Sequence, residues 1–386
     1  MMSYDIPWDF RQNSNFLYLT GFQEPESIIL MEKLSKEHSK IGMFVRPKIK
    51  EREIWDGPRC GPTNVTSIFG VDYGLEIDKF KDTLKQLKNQ SQLSADNLFI
   101  NNPHNWNEMF NGLGLEYQEA EAYVQMMRLV KSPAEISMML ESGQIAGRAF
   151  AETMKYIKPE MPENEVSAFF EFQVKKNGAK RMSYPPVVAS GNSGNTLHYI
   201  ANNQICKSGD LLLMDAGCEY WNFTSDITRT FPINGKFTDA QKEIYEAVLD
   251  VNKKCIEMAR IGQTVDSIHR YSVEIITNHL LRLGILKQET MKSSSYHKYY
   301  PHSIGHYLGM DTHDTSNYAY SIKLVPGMII TIEPGIYIDK NDLSVPEKYR
   351  GIAIRIEDDV AITSTNPLVL TSLAPKEIND IELLMK

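Results

Sequence analysis

Residues 211–233 read LLLMDAGCEYWNFTSDITRTFPI. Two apolar runs, Leu211 to Cys218 and Phe223 to Ile233, flank a short turn, which predicts an antiparallel hairpin. Each run carries a carboxylate where a buried strand rarely tolerates one: Asp215 ends LLLMD and Asp226 sits in TSDITRT. The pattern returns downstream. Pro326 to Ile338 reads as a strand with Glu333 in IITIEPG, and Gly351 to Thr363 as another with Glu357 in IAIRIEDD. Burying a charge costs several kcal/mol unless it is paired or binds a metal. One such acid alone reads as an ion pair. Four on neighbouring strands outnumber the basic residues in the same runs, where Arg229 and Arg355 are the obvious candidates.

The common cause is a metal centre, because four carboxylates balance two divalent cations. His306, in HSIGHYLG, supplies a fifth ligand. An oxygen-rich set with one imidazole suits Mn²⁺, with Zn²⁺, Fe²⁺ and Co²⁺ as alternatives. Two such ions roughly 3.5–4 Å apart can hold a bridging hydroxide as a nucleophile. His198, in NTLHY, and His302 and His313, close in sequence to His306, are expected as oxyanion partners or proton shuttles around that centre. Flanking glycines and prolines (Pro185-Pro186, Gly309, Pro334-Gly335) predict shaped loops where a ligand approaches the backbone.

Helical patterns surround these strands. Ser132-Pro133-Ala134-Glu135 combines an N-cap, a first-turn proline and a capping box, and predicts a helix to about Tyr156. A second helix runs from about Pro162 to Lys176 and stops at Gly178. A third starts at Thr238, with Gln241 three residues on, and stops at Gly262; a fourth ends at Gly284. These helices and the antiparallel strands predict an α+β domain over residues 123–386. Upstream, Phe16–Phe22, Ser27–Met31, Ile41–Val45 and Asn97–Ile100 read as strands, the last followed by a polar loop, and Phe80–Leu87 reads as a helix. Residues 1–122 are therefore expected to form a smaller α/β domain.

Length and composition agree with two domains. At roughly 150 residues per domain, 386 residues are too many for one. Apolar residues make up 42% and charged residues 23%, an ordinary globular balance. The net charge of −8 argues against a nucleic-acid or anionic-membrane binder. No window approaches the roughly 18 apolar residues of a membrane span. None of the four cysteines has C-x-x-C spacing, which argues against a zinc ribbon or thioredoxin motif and fits a reducing compartment. Met1 to Arg11, MMSYDIPWDFR, reads neither as a secretory signal nor as an acid-poor transit peptide.

The set LMDAG, TSDITRTFP, HSIGHYLGMDTHD, TIEPGIYI and RIEDD resembles the metallopeptidase family of aminopeptidase P, prolidase and methionine aminopeptidase. The resemblance implies a pita-bread fold for the C-terminal domain. Arg11–Ser27 and Trp55–Arg59 resemble the creatinase-like N-terminal domain of aminopeptidase P, closest to its mitochondrial branch, which includes the intermediate cleaving peptidases. That domain usually begins some tens of residues earlier, so it is expected to be truncated at its start here.

By resemblance, Asp215, Asp226, His306, Glu333 and Glu357 are the ligands of two divalent ions, most simply Mn²⁺. Asp226 and Glu357 would bridge both ions, Asp215 would chelate one, and His306 and Glu333 would complete the other. Glu333, His302, His313 and His198 are the implied catalytic groups, and Tyr184, His198, His313 and Arg355 the substrate-site groups. The implied activity is hydrolysis of the first peptide bond of a peptide or protein, typically Xaa-Pro, by a metal-bridging hydroxide. Removal of one bulky residue after presequence cleavage is the alternative. Prolidase and a non-catalytic binding module are further alternatives. The resemblance also implies a homo-oligomer, such as a dimer, and a mitochondrial location, with the cytoplasm as alternative.

Overall fold

The computed structural model describes residues 4, 6, 8–90, 93, 97–101 and 113–386. They fall into two compact units, Met1–Gln125 and Met126–Lys386. The polar loop expected after Ile100 falls mostly on residues 102–112, outside the described residues.

The first unit is built on a three-stranded sheet of β1 (Ile28–Lys33), β2 (Ser39–Val45) and β3 (Tyr73–Glu76). β1 and β2 are antiparallel, whereas β2 and β3 are parallel. β2 is covered on both faces. Phe44 packs with Ile28, Phe80 and Leu84, while Met43 and Val45 pack the other way with Phe22 and Val65, as strand alternation requires. The predicted helix at Phe80 is present as Phe80–Asn89.

Phe16–Phe22 is a correction. It does not form a strand; Ser14–Thr20 is an α-helix. Its ends decide the matter. The Asn13 side chain caps the Phe16 N–H, and Gly21 closes the helix at φ 69°. Two short helices, Lys50–Asp56 and Gly61–Phe69, have no counterpart in the sequence reading. The expected strand at Asn97–Ile100 is only Phe99–Ile100.

In the second unit, Ser132 and Glu135 form the full capping box of helix Pro133–Tyr156. Glu163–Lys176, Asp239–Met258 and Val265–Arg282 are the other long helices. Thr238 and Gln241 make the capping box of the third. The sheets that position the site comprise β4 (Val187–Ser190), β5 (Leu211–Ala216) and β6 (Ile227–Pro232), in the order β6-β5-β4, and the two segments that follow Pro326 and Gly351. Each of those segments is one long strand broken once. Ile329–Ile332 and Gly335–Tyr337 are β7 and β8; Ala353–Arg355 and Asp358–Ala361 are β9 and β10. The breaks fall at Glu333-Pro334 and at Ile356-Glu357, where the expected ligands sit. Between helices and sheets lies an apolar core that includes Phe150, Phe170, Leu212, Met214, Tyr245, Val248, Ile330 and Ile354.

Candidate metal centre and active site

The strand ladder delivers the acids. Asp215 on β5 lies opposite Thr228 on β6, and Asp226 immediately precedes β6. The hairpin is pinched between the two aspartates. A Cβ at Gly217 would lie 1.8 Å from the Ser225 carbonyl oxygen, so no larger residue fits there. The histidine loop is drawn in the same way. A Cβ at Gly305 would lie 1.9 Å from the Thr331 carbonyl oxygen. This closeness lets the His306 N–H reach the Thr331 hydroxyl at 3.1 Å, two residues before Glu333.

Asp215, Asp226, His306, Glu333 and Glu357 line one cavity of about 90 Å³, together with Leu197, His198, His302, His313 and Arg355. Ligand-type atoms of Asp226, His306 and Glu357 all lie within 4.8 Å of one another. His306 Nε2 is 3.5 Å from Asp226 and 3.6 Å from Glu333. Its Nδ1 donates to the Tyr307 carbonyl at 3.0 Å, which points Nε2 at the acids, the orientation a metal-binding imidazole takes.

At the other end, Arg355 donates to Asp215 at 2.7 Å. The Tyr184 hydroxyl donates to Asp215 at 2.5 Å and also reaches Asp226. The Thr228 hydroxyl donates to Glu357 at 2.7 Å and accepts from Arg355 Nε at 3.0 Å. Arg355 Nη1 donates to the Tyr337 hydroxyl at 2.9 Å. His302 Nδ1 donates to the Ser303 carbonyl at 2.8 Å, so its Nε2 accepts from Tyr337, also at 2.8 Å. Burial, then the Arg355 charge, pushes His302 down to about 3, and the ring is neutral. His313 meets the His306 ring edge-on at a centroid distance of 4.5 Å. His198 and His313 are exposed and make no hydrogen bond to another described residue.

The electrostatics show a shortage of positive charge. Burial, then the charges of Asp226, Glu333 and Asp215, holds Glu357 well above the usual carboxylate range. Burial pushes Glu333 up to about 7 despite His306 and Arg355. Burial also raises Asp215, with Arg355 opposing. Asp226 goes the other way; burial raises it, but the bond to His306 and its charge bring it below the usual value. His306 is raised to about 9, since its bond to Asp226 and the charges of Glu333 and Asp226 outweigh burial. Against four carboxylates the cavity sets one raised imidazole, His306, and one guanidinium, Arg355. Moreover, Glu357 Oε1 is buried and has no hydrogen-bond partner, which a native site rarely leaves unexplained. An oxygen-rich set with one imidazole and an orphaned carboxylate oxygen fits a divalent cation.

Arg229 is a correction among the expected charge partners. It turns away from the four acids and pairs with Asp358 at 2.7 Å. Thr228, Thr331 and Tyr337 were not singled out from sequence. Period-2 spacing from Asp226 and Glu333 was the available signal for the first two: Thr228 lies two residues after Asp226, and Thr331 two before Glu333.

Residues 137–364 match the model of metallopeptidase family M24, and residues 1–95 that of the aminopeptidase P N-terminal domain. The chain belongs to metallopeptidase family M24. It is a metal-dependent aminopeptidase with an N-terminal aminopeptidase P domain and a C-terminal pita-bread domain. Among its M24 relatives, Xaa-Pro aminopeptidase 3 of Dictyostelium discoideum is 55% identical over 100% of this chain and 77% of its own length. The mitochondrial intermediate cleaving peptidase 55 of Arabidopsis thaliana is 39% identical over 100% of this chain and 77% of its own length. Zinc-substituted Escherichia coli aminopeptidase P in complex with product superposes with a TM-score of 0.90 at 35% identity, covering 100% of this chain and 91% of that one.

Proposed function

We propose that this aminopeptidase removes a single residue ahead of proline from peptide or protein N-termini, using two divalent ions, Mn²⁺ first among them. The observation that carries the metal reading is the convergence of five ligand-type side chains on one cavity around a buried, unpartnered Glu357 oxygen. Asp226 and Glu357 would serve both ions, Asp215 one, and His306 with Glu333 the other. When bound, the metal supplies Lewis acidity toward the scissile carbonyl and makes water acidic enough to react near neutral pH.

The chain's own residues do the rest. Glu333 accepts the proton of the attacking water at its carboxylate and passes it to the leaving nitrogen. His313 and His198, whose rings are uncommitted, donate N–H groups to the developing oxyanion and orient the peptide. His302 has both nitrogens engaged, so its part is to hold Tyr337 and, through Arg355, Asp215. Tyr184 and Arg355 complete the substrate side. Residues 123–386 carry this chemistry, and residues 1–122 form the creatinase-like domain.

The relative named Xaa-Pro aminopeptidase 3 supports proline in the second position. A second reading, trimming of one bulky residue ahead of a non-proline, is favoured by the relative named intermediate cleaving peptidase 55, which also supports a mitochondrial location. We further propose a homodimer.

The test is mass spectrometry of peptides incubated with the Mn²⁺-loaded chain. Loss of one residue from a long Xaa-Pro peptide alone is the expected result. Loss from a matched non-proline peptide selects the second reading. Cleavage confined to an Xaa-Pro dipeptide means a prolidase, and no cleavage overturns the proposal.

A further inference from the structure

Asn252 lies on the apolar face of helix Asp239–Met258 and is fully buried. It does not line the metal cavity. Its amide nevertheless reaches the strands that carry two of the ligands. Nδ2 donates to the carbonyl of Ile332 at 3.2 Å and to that of Ile356 at 3.3 Å. These are the residues immediately before Glu333 and Glu357. Oδ1 accepts from Lys376 Nζ at 2.9 Å, and the same ammonium bonds Asp358 at 2.7 Å.

The strand register explains why an amide is needed there. Ile332 pairs with Asp358 and Gly335 with Arg355. The register is continuous across the break, so Pro334 falls opposite Ile356. The Ile356 N–H donates to the Pro334 carbonyl at 3.2 Å. A regular antiparallel pair returns that bond, but proline has no N–H to give. The Ile356 carbonyl thus lacks its ladder donor at the step between Glu333 and Glu357.

We propose that Asn252 is a positioning residue for the metal centre: its side-chain amide replaces the missing Pro334 N–H and ties together the two strand breaks that present Glu333 and Glu357. The inference rests on the metal reading above.

The test is Mn²⁺ affinity of the full chain, measured by competition with a fluorescent chelator. Asn252→Leu keeps the branched side-chain shape at a larger volume and loses both donors and the acceptor for Lys376. It is expected to weaken Mn²⁺ binding roughly ten- to a hundredfold, the range for outer partners of metal ligands. Adding Pro334→Ala restores a backbone N–H opposite Ile356 and is expected to recover most of that affinity. Should the leucine variant fail to fold, Asn252→Asp keeps the acceptor for Lys376, loses the donors and is read in the same way. A merely structural role would lower the melting temperature in EDTA and leave Mn²⁺ affinity at the wild-type value; that result overturns the proposal, as does failure of Pro334→Ala to restore binding. Wild-type protein that takes up no Mn²⁺ overturns the metal reading itself, which separates the two failures.

Discussion

Glu357 and Asp358 are consecutive, both buried, and each belongs to a cluster of charged groups. Around Asp358 every charge is answered. Arg229 and Lys376 each reach it at 2.7 Å, and the Thr371 hydroxyl donates to it at 2.8 Å. Arg229 also donates to the carbonyls of Thr228 and Glu357. Burial pushes the Asp358 carboxyl up, but Arg229 and Lys376 more than offset this and hold it well below the usual range. Around Glu357 the balance fails. One oxygen takes the Thr228 hydroxyl, the other takes nothing, and the charges of Asp226, Glu333 and Asp215 outweigh that of Arg355. Strand alternation sends the two acids to opposite sides. The side whose cations come from the chain is a closed structural joint, and the side short of cations is the site. Buried charge alone therefore does not mark function; uncompensated buried charge does.

The contrast can be broken from either side. The largest expected effect is Arg229→Met, which removes one of the two cations at Asp358 and the donor to the buried Thr228 and Glu357 carbonyls and should cost about 3–5 kcal/mol of stability by urea denaturation, in EDTA as well as with Mn²⁺. A loss below about 1 kcal/mol would mean that the joint is not structural. Glu357→Gln should do the reverse. Turnover should fall at least roughly a hundredfold, while stability in EDTA holds or rises because a carboxyl that burial and its acidic neighbours disfavour has gone. An active Glu357→Gln enzyme with a full metal complement would remove the distinction between the two sides.

The smallest effect is a pH dependence. Asp358 has a depressed pKa in the folded chain. Its contribution is present above the unfolded carboxylate value, about 3.9, and is lost as pH falls through the folded value. The stability gap between wild type and Asp358→Asn should stay flat from pH 7 to 5. Below about pH 4 it should narrow by at most about 1.4 kcal/mol per pH unit. A gap that changes between pH 7 and 5 would contradict the pairing.

Sequence reading could reach the front of this arrangement and not the back. Asp215, Asp226, Glu333 and Glu357 stood out because acids interrupt apolar runs, and the capping boxes at Ser132 and Thr238 announced their helices. Asp358 was hidden by its position in RIEDD, where three acids in a row give no hint of which side each faces. Arg229 reads from sequence only as a candidate partner of the four acids for the same reason: partner choice depends on strand register. Asn252 looked like an ordinary polar residue in a helix, since the need it meets arises from Pro334, 82 positions away in sequence. Phe16–Phe22 was misread because an aromatic and β-branched stretch of seven residues suits a strand, while Asn13 and Gly21, the caps that decide otherwise, lie at or beyond its margins.

The measurement that bears most directly on the Glu357 side is the metal content of the full chain after Mn²⁺ loading and gel filtration, by inductively coupled plasma mass spectrometry, for wild type and Glu357→Gln side by side. If chain-external cations complete this cluster, wild type carries about two ions per chain and the variant clearly fewer. Wild type without bound metal, or a variant that retains the full complement, would contradict it.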